Sequence, residues 1–196
     1  MLGTMKHTLA AILLLLAERG CLAQTYNEMT PSTYTHPPTN LTFSTWTDPD
    51  QIFTFGLASP PANSSAVDYT GLLRCKTPGW CGFSHGPSML DNLLLVAYLS
   101  PTGQVQREFR FAPGADGYFE PPPYAESSMV QLEQLDATVN DDGEEFEIVY
   151  KCRGCIGNDG IKGLGYAVGL DRPVKGDEEN QARLEFHVGG YGVWEL

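Results

Sequence analysis

The chain has 196 residues, and its 24 acidic side chains outnumber 12 basic ones for a formal net charge of −12. Such a surface repels nucleic-acid phosphates and anionic membranes, so neither is an expected partner, and the acidity suits a secreted protein. The length allows one domain with a closed core and does not require a second.

Residues 1–23 read as a secretory signal: Lys6 and His7 in a short polar start, an apolar run from Leu9 to Ala17, then Cys21-Leu22-Ala23 before Gln24. That apolar run is too short to span a bilayer. No later segment reaches the roughly 18 apolar residues a transmembrane helix needs, and the C-terminus carries no hydrophobic tail for a lipid anchor. The expected mature protein is soluble, extracellular and monomeric. Residues 24–40, rich in Thr, Pro and Tyr without an apolar period, read as an extended lead-in, and residues 41–196 as the domain.

From Leu41 the pattern alternates. Leu41 to Trp46 and Ile52 to Leu57 are two short strands joined by the corner Asp48-Pro49-Asp50. Further strands are expected at Val67 to Leu73, Trp80 to Phe83, Leu93 to Leu99, Val105 to Phe111, Met129 to Leu135, Phe146 to Tyr150, Leu164 to Val168 and Gly192 to Glu195. Turn signals such as Pro101-Thr102-Gly103 and Asn140-Asp141-Asp142-Gly143 separate them, and helical periodicity is nearly absent. The fold class expected is an all-β antiparallel β-sandwich. Sequons at Asn40-Leu41-Thr42 and Asn63-Ser64-Ser65 fall in or beside polar loops and are candidate N-glycan sites.

Cys75, Cys81, Cys152 and Cys155 remain after signal cleavage. In an oxidising compartment two close pairs most simply form two local disulfides, Cys75–Cys81 and Cys152–Cys155, although four cysteines allow three connectivities. Cys152-Arg153-Gly154-Cys155 also has the spacing of a zinc knuckle or a redox motif. A redox pair opens a helix, however, whereas this one ends a strand and enters a glycine-rich loop, which favours a structural disulfide.

Motifs for zinc-protease, nucleotide or dinucleotide chemistry are missing: there is no H-E-x-x-H helix, Walker loop or G-x-G-x-x-G turn between strand and helix. The acidic pairs Asp141-Asp142 and Glu144-Glu145 flank a glycine turn and read as a solvated hairpin tip. Two residues stand out. Met89 follows the corner His85-Gly86-Pro87-Ser88 and precedes the apolar run from Leu93, so it is either core packing or a thioether held at a strand entrance, where it can ligate a metal. His187 lies in Glu185-Phe186-His187-Val188-Gly189-Gly190-Tyr191-Gly192, where glycines leave room for a large planar group beside the backbone. Read by itself it is an ordinary strand-end histidine; paired with Met89 it would complete Met/His ligation of haem iron, which closes both axial positions and suits electron transfer. No C-x-x-C-H follows, so such a haem would be b-type and non-covalent. His85 is a rival ligand.

Four segments together carry a family likeness. Trp80 through Tyr98, with Ser88-Met89-Leu90-Asp91-Asn92, resembles the haem-methionine segment in the cytochrome domain of fungal cellobiose dehydrogenase, of the haem-binding DOMON-like family. Gly117-Tyr118 and the proline-containing stretch to Tyr124 are similar to the segment that places a tyrosine near the haem propionates. Phe146 to Cys155 resembles that family's disulfide loop, and Phe186-His187 with its glycine-aromatic tail its haem-histidine strand.

The resemblance implies an immunoglobulin-like sandwich holding one haem b between Met89 and His187, with Tyr118 near a propionate. It also implies a role: taking single electrons from a flavin dehydrogenase and passing them to an acceptor, chiefly lytic polysaccharide monooxygenases or small oxidants. The family's flavodehydrogenase segment does not follow in this sequence, so a donor in trans is expected. An electron carrier of this kind is not a catalyst on its own. Two other readings are a haem-free sandwich that recognises carbohydrate through Trp46, Trp80 or Trp194, and an extracellular ferric reductase.

Overall fold

The computed structural model describes residues 31–59, 67–114, 121–156 and 163–173 in full, and residues 27–28, 174–175, 182–183 and 188–193 by their backbone. The signal segment, Asn63, Tyr118, His187 and Trp194 lie outside the described residues.

Among the described residues every element is a strand: β1 (Asn27–Glu28), β2 (Ser32–His36), β3 (Leu41–Thr47), β4 (Phe53–Ala58), β5 (Tyr69–Cys75), β6 (Trp80–Ser84), β7 (Leu93–Leu99), β8 (Val105–Phe111), β9 (Pro123–Tyr124), β10 (Gln131–Val139), β11 (Phe146–Arg153), β12 (Leu164–Gly169), β13 (Val174–Lys175), β14 (Ala182–Arg183) and β15 (Val188–Val193). They form a sheet in the order β1-β15-β12-β6-β7-β8-β9, a second in the order β10-β11-β5-β4-β3-β2, and a ribbon of β13 and β14. All ladders within these sheets are antiparallel except β1 with β15. The all-β sandwich read from the alternation is the fold observed.

The core lies between the two large sheets. Phe53, Phe55 and Leu57 of β4 alternate into it and meet Phe83, Leu95, Phe109 and Tyr150, with Phe55 and Phe83 ring centroids 4.6 Å apart. Burying such rings is the main favourable contribution to folding, at roughly 2–3 kcal/mol each. All of β4 is buried, because a second cluster of Phe43, Ala58, Leu72 and Val149 covers the opposite face of its sheet, with Tyr34 and Leu41 packed on it. Gly56 sits on that face, where a Cβ would press on Thr45 and Phe43.

Tyr34 belongs to the lead-in, which is extended and contributes strands to both sheets. Ser32 to His36 pair with Thr45 to Leu41 in strict register. The apolar signal is weak there because the positions β2 buries, on the face away from the inter-sheet core, are Tyr34 and His36. His36 is 1% exposed; its Nε2 lies 3.2 Å from Glu147 and 3.4 Å from Asp136. Glu147 also accepts from Tyr34 Oη and pairs with Arg74, whose guanidinium lies over the Tyr34 ring. Polar side chains therefore fasten β2 across the sheet.

Both local disulfides are present. Cys75 ends β5 in one sheet and Cys81 lies in β6 of the other, so that bond ties the two layers together. The Cys152–Cys155 loop turns through Gly154 at φ 67°, where a Cβ would collide with the Met129 carbonyl. Its amide donates to Asp68 Oδ1 at 2.8 Å.

Candidate functional site

The loop from Ser84 to Leu93 carries Met89. Its neck is closed by His85, whose backbone amide and ring Nδ1 both donate to the Leu93 carbonyl, at 2.9 and 2.8 Å. Gly165 of β12 fastens the loop from the side: its amide donates to Gly86 O and to Ser84 Oγ. A Cβ at Gly86 would run into the Asn92 amide group and displace it from its bonds to Ser88 and Leu90.

Hydrogen bonds then fix the chain on each side of Met89. The Leu90 amide donates to Ser88 Oγ at 3.1 Å, and Asn92 Nδ2 donates to the carbonyls of Ser88 and Leu90 at 2.9 and 3.0 Å. Asp91, in the left-handed region at φ 58°, donates its amide to Ala112 O and accepts from the Gly114 amide at 2.8 Å. Aspartate tolerates that backbone geometry better than most side chains. Met89 itself is partly exposed, beside an exposed Leu90. A thioether is thus carried by a loop with little freedom, within reach of a ligand.

The other predicted site residues divide as follows. Gly114, bonded to Asp91, precedes the undescribed segment containing Tyr118, and Pro121 O beyond it accepts from Arg110 Nη1 at 3.0 Å. His187 immediately precedes β15, whose Val188 pairs with Val168 and whose Tyr191 pairs with the same Gly165 that holds the methionine loop. Positions 190 and 192 of β15 share a face and are both glycine, a strip against which a planar group can lie. A thioether on so fixed a loop is a donor of the kind haem iron accepts.

Two histidines are spent elsewhere. His36 Nδ1 lies 2.9 Å from Thr39 Oγ1 and accepts the Thr39 amide, while Nε2 faces the carboxylates. His85 uses Nδ1 on Leu93 and accepts from Tyr69 Oη through Nε2 at 2.7 Å. The rival ligand is therefore occupied at both nitrogens. His85 also lies within 4.8 Å of the Cys152 and Cys155 sulfurs, but these are bonded to each other.

Burial of the imidazole among Tyr69, Phe83 and Phe109 lowers its pKa to about 4, opposed only in part by its bond to Leu93. The unfolded chain, with an ordinary histidine, then binds more protons between that value and pH ~6.5, so stability should rise with pH across this window. Relative to neutral pH, the loss should reach about 3 kcal/mol once the pH is below the folded value. Urea unfolding of the wild type and His85→Gln at several pH values checks this: the difference in slope should be confined to that interval, and parallel curves would refute it.

Sequence reasoning missed this role of His85 and its link to Tyr69. The two are 16 residues apart on elements of different sheets, and no spacing pattern joins them. The tryptophans proposed for carbohydrate contact are core residues where described: Trp46 and Trp80 are each 5% exposed.

The fold is a two-sheet antiparallel β-sandwich, and comparison with known proteins gives its class, a cytochrome domain. Residues 34–196 match the family described as the cytochrome domain of cellobiose dehydrogenase, and the chain belongs to that family. Among solved structures it is similar to the cytochrome b domain of pyranose dehydrogenase from Coprinopsis cinerea. The two share 24% identity and superpose with a TM-score of 0.62, over 83% of this chain and 87% of that one. Membership supports a haem electron-transfer role with a dehydrogenase as partner in general.

Proposed function

We propose that this protein is an extracellular one-electron carrier that holds a non-covalent b-type haem between Met89 and His187, with Tyr118 beside a propionate. The observation that carries the reading is the methionine loop, in which backbone bonds on each side of Met89 hold a reachable thioether. The choice of His187 is supported by elimination. Of the chain's four histidines, His7 lies in the expected signal, and His36 and His85 have both ring nitrogens engaged.

When bound, the haem supplies one reversible electron at iron; thioether and imidazole raise its potential and keep substrates off the metal. The chain's own work is to hold the sulfur still, so that little rearrangement accompanies each transfer, and to exclude water from most of the ring. Electrons would come from a flavin dehydrogenase and leave to a lytic polysaccharide monooxygenase or a small oxidant, through transient docking of a monomer. The chain would enter the secretory route by its first 23 residues. Asn40, exposed on the turn after β2 with Thr42 also exposed, is open to a glycan, and Asn63 is the second site proposed.

Optical spectra of the purified secreted protein test this. A Soret band, with sharp visible bands on reduction, is expected. A colourless protein that develops no such spectrum on titration with haemin would overturn it.

A further inference from the structure

Behind the neck of the methionine loop a chain of hydrogen bonds runs from the buried Tyr150 and Tyr69 to the partly buried His85. Tyr150 of β11 and Tyr69 of β5 have their hydroxyls 3.4 Å apart, and Tyr69 Oη lies 2.7 Å from His85 Nε2. Tyr69 is 6% exposed and Tyr150 fully buried. Directions follow from the far end. The Leu93 carbonyl can only accept, so Nδ1 carries the ring proton and Nε2 offers a lone pair. Tyr69 therefore donates to His85, which leaves its oxygen free to accept from Tyr150.

We infer that Tyr69 and His85 form a redox-active pair, in which the phenol gives up one electron while its proton crosses the hydrogen bond to the imidazole. The Tyr69 O–H bond breaks and an Nε2–H bond forms. The electron goes to a one-electron oxidant of the peroxide-derived radical class, leaving a neutral phenoxyl and an imidazolium. Return of one electron sends the proton back.

The surroundings favour this coupled step over its alternatives. Burial pushes the Tyr69 phenol far above its ordinary pKa, so it does not ionise first. A bare radical cation in this core would be an unpaired buried charge, and a phenol radical cation is a far stronger acid than an imidazolium. The new imidazolium keeps its bond to Leu93 and gains one to the phenoxyl oxygen, which Tyr150 also supports. Above the depressed His85 pKa the imidazole is neutral and able to accept; the burial that depresses it also disfavours the imidazolium, so the step calls for a strong oxidant. An oxidising equivalent can then rest on Tyr69 in preference to the partly exposed Met89 thioether, whose conversion to sulfoxide would end its use as a ligand. None of this requires haem, so it can fail or stand separately from the proposed function.

The test is photo-oxidation of the full chain by a ruthenium(III) polypyridyl complex, followed by transient absorption and freeze-quench EPR. A slowly decaying phenoxyl signal is expected from the wild type. Nine tyrosines are present, so variants separate the sources: Tyr69→Phe should remove the slow component and Tyr150→Phe should retain it. His85→Gln keeps an acceptor but no base, and should slow formation about a hundredfold, the usual worth of a positioned general base. In the wild type, an internal base makes the rate independent of buffer concentration, which holds the test even where a variant does not fold. A slow signal undiminished in Tyr69→Phe, or a rate that climbs with buffer concentration, would overturn the inference.

Discussion

Replacing His187 with alanine is expected to give a folded, disulfide-bonded protein that no longer retains haem. An iron left with one thioether ligand is held too weakly to survive purification, because methionine is a soft, neutral ligand. Replacing Met89 with histidine should have the opposite character. Haem stays, now with two imidazoles, and the potential falls by on the order of a hundred millivolts, because thioether ligation favours the reduced state. Spectroelectrochemical titration reads both. Spectra and potentials indistinguishable from wild type in the two variants would remove Met89 and His187 from the site.

Glu147→Ala should lower the unfolding temperature of the protein measurably. This carboxylate is the hub between Tyr34 and His36 of β2 and Arg74 of β5. The side chain of His36 is 2% exposed, that of Glu147 10% and that of Arg74 30%. Arginine can turn to water when its partner is lost. His36 cannot, and leaving its Nε2 with only the longer contact to Asp136 typically costs about 1–3 kcal/mol. At roughly 2–4 °C per kcal/mol for a chain of this size, Tm should drop by about 5 °C. Glu147→Gln, which keeps an acceptor, should lose clearly less. Calorimetry would contradict the hub role if the alanine variant melted within a degree or two of wild type.

Some of this architecture could be read along the chain. Leu93–Leu99 and Val105–Phe111 are strands with the bounds that their apolar and alternating runs define, because Pro101 and Gly103 between them can only turn. The two disulfides were readable for a similar reason: across three or six residues the chain has little choice but to bring the sulfurs together. β2 was not, since its ladder is built from threonine, serine and tyrosine and its buried end is a histidine. A buried polar residue contributes no hydrophobic period; what makes it tolerable is a partner more than a hundred positions away.

The methionine corner was visible as turn chemistry followed by a buried run, and the family likeness assigned it a role. Which histidines remained for a metal was beyond any local pattern. His85 stands four residues from Met89 and stayed a rival to His187, until the packing of one sheet on the other brought Tyr69 to its Nε2 and Leu93 to its Nδ1.

Strand, turn and short-range crosslink are matters of backbone preference and of nearest neighbours, which one-dimensional order specifies. The state of a titratable side chain is a matter of what surrounds it on every side: whether His85 is a ligand, a neutral base or a neck clasp depends on groups that approach it only after two sheets stack. The amino-acid order made a β-sandwich with a methionine at a rigid corner, and the stacking of its layers took two histidines out of contention for iron.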